Sequence, residues 1–414
     1  MTATNMQDSA LAPATPIPVV AAVACAFALA LDMIEMAIGN VLATVFAAQP
    51  DRVTSDELSW LLSSVYIGAV LGAPAIGWMS DRRGIRVCLA ASLVWLALSS
   101  CIAGASATVL ELTIFRFLSG LSLGAVPPLL IAYLTRIAPV QSRGALIFWV
   151  CGSAALAPPF ALLLIRWVIG QQPFGIEGWR WPLYAGGVLA LFVGCVFFGL
   201  KEAGVETHKS ARESSLQSVD EVSQRLPHGR FAFLASVYFL APWATVGFPL
   251  LTGPILLSQG YDLSQALLYV TLATVGPSLG SFVTTSFVDR FDRRVILAGC
   301  ALVMIVAVAV FALARSPTNL AGALIVFGVA TAIFITALTL YAAESFTSRV
   351  RTFATSSAWA INRAASAIVP VILLPLLNTH SVFISMVPIW VALAASLSLI
   401  VLFGPEGAAR RVVG

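Results

Sequence analysis

Charge is scarce in this chain: of 414 residues, 10% are Asp, Glu, Lys or Arg, while 59% are hydrophobic. A soluble domain carries about 25% charged residues, so a mostly wetted surface is excluded and lipid is the expected solvent. Histidine is scarcer still. His208, His228 and His380 fall in loops or at a helix start, which leaves no intramembrane histidine to carry a proton. The six cysteines (Cys25, Cys88, Cys101, Cys151, Cys195 and Cys300) lie in or at the ends of apolar runs without paired metal-ligand spacing, as small hydrophobes do. Neither a metal nor a cofactor is expected. There is no glycine-rich phosphate loop, which disfavours ATP-driven transport. No clustered nucleophile and base supports a membrane enzyme. The net charge of +4 comes without a basic stripe interleaved with aromatics, which argues against a nucleic-acid partner. About the first fifteen residues lack the basic start and cleavage site of a signal peptide and read as a short cytoplasmic tail.

What the chain has in quantity is apolar runs of the roughly 20 residues that a helix needs to cross a hydrocarbon core about 30 Å thick. Twelve are expected, near 18–47, 58–79, 87–106, 109–134, 145–168, 181–200, 231–257, 264–288, 295–314, 318–342, 354–377 and 382–403. With the N-terminus inside, seventeen of the 23 Lys and Arg residues fall in cytoplasmic loops and four (Arg52, Arg166, Arg180 and Arg315) in outer ones. Positive charge stays cytoplasmic during insertion, so both termini are expected inside. The one long polar stretch separates an N-terminal six-helix bundle (1–200) from a C-terminal one (231–414), with 201–230 as a cytoplasmic linker.

The two bundles repeat each other. Asp81-Arg82-Arg83 and Asp289-Arg290-Phe291, Tyr133 and Tyr341, Arg143 and Arg351, and Gly120 and Gly328 all share an offset of 208 residues. A duplicated six-helix unit is typical of transporters whose halves rock about a central site. The expected fold is therefore all-α, with two pseudo-symmetric bundles around a central cavity.

Gly77-Trp-Met-Ser-Asp81-Arg82-Arg-Gly84-Ile-Arg86 resembles the signature loop after the second helix of the major facilitator superfamily, and Arg116-Phe-Leu-Ser-Gly120-Leu-Ser-Leu-Gly124 resembles its fourth-helix motif. Leu31-Asp32 with Asn40-Val41-Leu42, and Glu57-Leu-Ser-Trp60, are similar to drug–proton antiporters. Tyr341-Ala-Ala-Glu344-Ser-Phe-Thr347-Ser-Arg349-Val-Arg351, with Asn362-Arg363, is similar to organic-ion and metabolite–proton transporters. The antiporter motif of the fifth helix is degenerate: Gly152 and Pro158-Pro159 are followed by Phe160-Ala161 in place of glycines, which weakens an efflux reading. The glutamate usual after Tyr133 is Arg136.

The resemblance implies a conformational latch at the cytoplasmic ends, carried by Gly77, Asp81, Arg82, Gly84 and Arg86 in one half and by Asp289, Arg293 and Glu344 in the other. Physically, a carboxylate there accepts bonds at a helix N-terminus, and the arginines pair across the bundle interface. The alternative is a set of solvated charges that only orient insertion. Gly120 and Gly124 are read as packing residues.

Four charges lie deep in apolar spans: Asp32, Glu35, Arg116 and Arg363. A charge at the bilayer centre costs at least about 2.5–3.5 kcal/mol, so these four are expected to face a wet cavity or one another. Asp32 and Glu35 are three apart, on one helix face. The resemblance places Asp32 against Arg116, making Asp32, Glu35 and Arg116 the proton-coupling candidates; a static ion pair is the alternative. Arg363 either holds an anionic solute group through its planar fork or pairs with a carbonyl or with Glu35. Asn362, Tyr238, Trp243 and Phe248 are expected to complete a small-molecule wall. The expected function is proton-coupled transport of a small organic solute, anionic or zwitterionic, by symport or antiport; the alternative is proton-driven efflux of amphipathic drugs or metabolites. Expected partners are that solute, protons and membrane lipid, with the chain working as a monomer in a bacterial inner membrane.

Overall fold

The computed structural model describes residues 19–138, 143–200, 227–287, 290–314, 316–346 and 348–404. Twelve helices among them are long and apolar enough to cross a membrane: α1 (Val19–Ala47), α2 (Ser55–Arg83), α3 (Ile85–Ala105), α4 (Val109–Ile137), α5 (Ala145–Gln171), α6 (Gly178–Gly199), α7 (His228–Ser258), α8 (Leu263–Thr284), α9 (Arg293–Leu313), α10 (Pro317–Ser345), α11 (Ala354–Thr379) and α12 (Val382–Phe403). Every expected span has its helix. Most of the 201–230 linker lies outside the described residues, and so does Asp289.

Helix starts follow local chemistry. Thr54 and Thr108 cap α2 and α4, each in a reciprocal box with the glutamate three residues on, Glu57 and Glu111. Between α2 and α3 the chain turns on Gly84 at φ 91°, where a side chain would be strained. Three spans are interrupted near proline: α4 before Val126-Pro127-Pro128, α5 before Pro158-Pro159, and α7 at Val246, four residues after Pro242. Proline withholds the amide and clashes with the preceding turn, and such breaks survive at membrane depth only where protein or a wet cavity satisfies the backbone.

Large apolar side chains such as Trp95, Leu98, Phe160, Leu164, Phe192 and Val306 stay exposed around the outside. In water this area would be an aggregation liability; in hydrocarbon it is the lipid face. The protein is an integral membrane protein.

Close helix packing repeats in the two bundles. A Cβ on Gly68 of α2 would stand 2.2 Å from the Phe117 carbonyl oxygen of α4, and one on Gly276 of α8 would stand 2.4 Å from the Ile325 carbonyl oxygen of α10. Gly120 and Gly328 face these contacts from α4 and α10. At the arginine-rich end, Arg86 donates to the Phe198 (3.2 Å) and Leu200 carbonyls of the α6 end, and Arg294 donates to the Ile400 (3.0 Å) and Val401 carbonyls of α12. Arg86 and Arg294 stand at the same 208-residue offset as the glycines.

At the opposite end, Arg52 pairs with Glu177, which also accepts from Arg180 (3.0 Å) and from the Trp179 indole (3.0 Å). The Arg52 guanidinium holds the Glu177 carboxyl below the usual carboxylate range. Arg180 reaches on to the carbonyls of Gly104 (2.8 Å) and Ser106 (2.6 Å), so the short connections of the first bundle are tied together there.

The glycine contacts give a direct expectation. Gly68→Val and Gly276→Val should each cost about 1–3 kcal/mol through overpacking, seen as a lower melting temperature of the detergent-solubilised protein. Gly77→Ala, where an added Cβ meets nothing within 4 Å, should melt like the wild type. Equal melting of all four proteins would contradict the packing described.

Candidate functional site

A chamber of about 470 Å³ lies between the bundles, walled by both. Asp32 and Asn40 enter it from α1, Tyr66 from α2, Tyr238 and Thr245 from α7, Thr336 and Thr339 from α10, and Trp359, Asn362 and Arg363 from α11. The breaks in α5 and α7 sit beside it, since Pro158 and Val246 also line it. The chamber is sealed at the end away from the arginine-rich loops. There Gly253 of α7 lies so close to α1 that a Cβ would fall 1.8 Å from the Thr44 hydroxyl. Asn378 donates to Ser55, and the Arg166 Nε–H donates to the Ser264 carbonyl (2.9 Å). Toward the arginine-rich end, Thr336, Thr339 and Trp359 are exposed, and the chamber opens that way.

The four deep charges divide into two pairs of different character. Arg116 and Glu35 are buried, 3% and 1% exposed, and meet at 2.6 Å. The other Arg116 nitrogen donates to the Glu35 backbone carbonyl (3.1 Å), and the Ser100 hydroxyl donates to the second Glu35 carboxylate oxygen (2.8 Å). This is a satisfied ion pair joining α1, α3 and α4. The expected pairing of Asp32 with Arg116 is therefore corrected: Glu35 takes that place. Residues three apart on a helix diverge by about 60°, and here that angle sends Glu35 into the first bundle while Asp32 faces the chamber.

Asp32 is 5% exposed, and its Oδ1 is buried without a hydrogen-bond partner among the described residues. Arg363 lines the same chamber. The Arg363 guanidinium lies 5.7 Å from the centroid of the Trp359 ring, one helical turn back on α11. No hydrogen bond or ion pair engages it among the described residues. The reading of Arg363 as the partner of Glu35 is thus also corrected.

Tyr238 and Asn362 reach the chamber, with the Asn362 amide donating to the Tyr238 carbonyl (3.0 Å) and the Tyr238 ring edge-on to Trp359 at 5.9 Å. Trp243 and Phe248 do not line it. Phe248 is fully buried against Phe311 (5.1 Å) and Phe327 (4.4 Å), and Trp243 packs on the same apolar core. Five residues beyond Tyr238, Trp243 points about 140° away around the helix. The pocket residues that sequence reasoning missed include Tyr66, Trp359, Thr336 and Thr339. Trp359 carried a signal, being four residues before Arg363 and so on its face.

At the arginine-rich end several latch residues make contacts within their own bundle. Arg82 lies 3.7 Å over the Trp78 ring, Arg86 bonds the α6 end, and Arg293 pairs with Glu344 at 3.2 Å. Asp81 is exposed, and Gly77 faces open space.

A family model, the Major Facilitator Superfamily, matches residues 20–370. The chain belongs to this superfamily. It is 24% identical over 390 residues to the niacin transporter NiaP of Acinetobacter baylyi, covering 85% of this chain and 86% of that protein. A stretch of 132 residues is 33% identical to an arabinose-proton symporter of Bacillus subtilis, 30% of this chain and 28% of the symporter. The fold matches the crystal structure of a D-xylose-proton symporter with a TM-score of 0.76 at 18% identity, over 95% of this chain and 99% of that one. As a superfamily member, this chain is a secondary transporter and not an enzyme.

The two charge pairs should respond differently to mutation. Glu35→Gln strands Arg116 in the first bundle and should destabilise by about 3–5 kcal/mol, as breaking a buried pair does. Asp32→Asn removes the charge of a buried carboxylate whose Oδ1 has no hydrogen-bond partner among the described residues, and should leave the melting temperature unchanged or raise it. Thermal melts of both variants in detergent decide this. A larger loss for Asp32→Asn than for Glu35→Gln would reverse the assignment.

Proposed function

We propose that this superfamily transporter moves a small carboxylated solute together with protons, with Arg363 as the anion site and Asp32 as the proton carrier. The observation that carries this reading is that an acid and a guanidinium face one chamber between the bundles, the Asp32 Oδ1 without a hydrogen-bond partner and Arg363 without an ion pair among the described residues. A guanidinium at membrane depth marks a substrate pathway when it faces a wet cavity, Arg363 is half-buried in this one, and its planar fork fits a carboxylate. The chamber lies in the 300–1,000 Å³ range of small-molecule pockets. Niacin, the solute in the name of the 24% identical relative, is a one-ring carboxylate of suitable size and charge. The sugar-proton symporters among the relatives support coupling to protons. Proton-driven drug efflux is not favoured by these relatives.

Glu35 and Arg116 serve in this reading as a fixed brace behind Asp32, and Asn362, Tyr238 and Trp359 form the wall around the solute. The arginine census supports a cytoplasmic open end, as for a bacterial inner-membrane protein with both termini inside. The described conformation is then inward-open. In the outward-open state the Asp81 loop and the Arg293–Glu344 pair would close against each other across the bundle interface. The chamber is complete within one chain, which supports a functional monomer.

The test is flux into proteoliposomes under an imposed pH gradient, with nicotinate, benzoate and shikimate as acids and xylose as the neutral control. The acids should accumulate and xylose should not. Asp32→Asn should keep solute exchange but lose uphill accumulation. Arg363→Lys keeps the charge but loses the fork, and should weaken acid binding roughly 10- to 100-fold, the value of one charged hydrogen bond. Wild-type accumulation by Asp32→Asn, or unaltered acid affinity in Arg363→Lys, would remove that residue from its role.

A further inference from the structure

We infer that the chamber loads one proton and one monocarboxylate together, so that each transport cycle is electroneutral and the solute class is the single-charged organic acid. This deepens the reading of Arg363 as anion site and Asp32 as proton carrier, and rests on it.

The inference comes from counting charge at membrane depth. The four deep side chains, Asp32, Glu35, Arg116 and Arg363, sum to zero when all are ionised. Glu35 and Arg116 are locked to each other and to Ser100, so their contribution stays fixed. The variable pair is Asp32 and Arg363, and it too is neutral in the empty chamber.

A monocarboxylate that settles on Arg363 gives the chamber a net charge of minus one. Carrying that charge through the hydrocarbon is unfavourable. One proton on Asp32 restores neutrality. The loaded chamber then holds a protonated Asp32, a cationic Arg363 and an anionic solute, with the same net charge as the empty one. By linkage, the anion and the proton must favour each other's binding equally. The proton comes from water in the open chamber and returns to water on the other side. The carboxylate passes from water to Arg363 and back, and no covalent bond of the solute changes.

Among the described residues, no other group at the chamber takes Asp32's place. The titratable or charged side chains facing it are Asp32 from α1, Tyr66 from α2, Tyr238 from α7 and Arg363 from α11. The two phenols are neutral near pH 7 and have no proton vacancy to fill. From α5, α8 and α10 come Pro158, Ser278 and Thr336 with other side chains that do not titrate. Glu35, one turn further along α1, is held by Arg116 and Ser100. A dianion would need a second proton and finds no second free acceptor. A neutral solute would leave both charges as they were and would gain nothing from a proton gradient.

The experiment uses wild-type protein in proteoliposomes with labelled nicotinate, or with whichever acid of the panel above moves fastest. The pH gradient is set by buffers, and a potential of about 100 mV of either sign by valinomycin and potassium. The accumulation ratio should rise about tenfold per unit of pH gradient and move less than twofold with the potential; one translocated charge would move it about 50-fold. A pH dye should report one proton per solute. In Asp32→Asn the empty chamber carries plus one, so any net uptake that remains should be slowed by an interior-negative potential, while exchange should ignore it. Two protons per solute, or uptake that follows the potential at fixed pH gradient, overturns electroneutral coupling and leaves the proposed function standing. Absence of pH-driven flux for every acid overturns both.

Discussion

The penalty for ionised groups in hydrocarbon is the constraint on which the rest of this structure depends. A chain with so few charges has placed four of them at mid-depth, and each position must be explained by something other than solubility. Glu35 and Arg116 are explained by each other. Their pairing and the Ser100 bond hold α1, α3 and α4 in fixed register. With one acid of α1 consumed in this way, the other, Asp32, is directed into the space between the bundles. The helix geometry that separates the two acids therefore separates a buried ion pair from a chamber-facing carboxylate.

The chamber inherits its form from the same constraint. Backbone that departs from helix at this depth has to be shielded or wet: the proline-linked breaks of α5 and α7 border the chamber, and the one in α4 is buried at Ala125 and Val126. Closure at the far end comes from short side chains and a glycine: Thr44 against Gly253, and Ser55 with Asn378. Arg166 bonding the Ser264 carbonyl is the one charged, long side chain among these contacts. Within each bundle, by contrast, the glycine-to-carbonyl contacts of α2 with α4 and of α8 with α10 are tight enough to keep each bundle rigid.

Much of this was legible in the sequence. The spans follow from apolar runs, and the 208-residue offset foretold that Gly120 and Gly328, and the loops around Arg86 and Arg294, would play matching parts. The four deep charges stood out because hydrocarbon makes any charge conspicuous. Their partners did not. Whether Arg116 meets Asp32 or Glu35 depends on the roll of α1 about its axis, which a sequence spacing of three leaves open by about 60°. The same roll, in α7, put Tyr238 in the chamber and turned Trp243 and Phe248 into the core. Trp359 shows the converse: its place one turn before Arg363 marked it, but an aromatic in an apolar helix is ordinarily packing or lipid face, so the signal carried no weight without the cavity.

The central claim, that a proton on Asp32 and an anion on Arg363 bind as a linked pair, is tested most directly by counting protons at binding rather than in transport. Calorimetric titration of the purified transporter with nicotinate, in two buffers of different ionisation enthalpy, yields the number of protons taken up per solute bound. The account predicts one proton for the wild type near neutral pH and none for Asp32→Asn. Binding of the acid to the wild type without proton uptake, or the same uptake in Asp32→Asn, would contradict it.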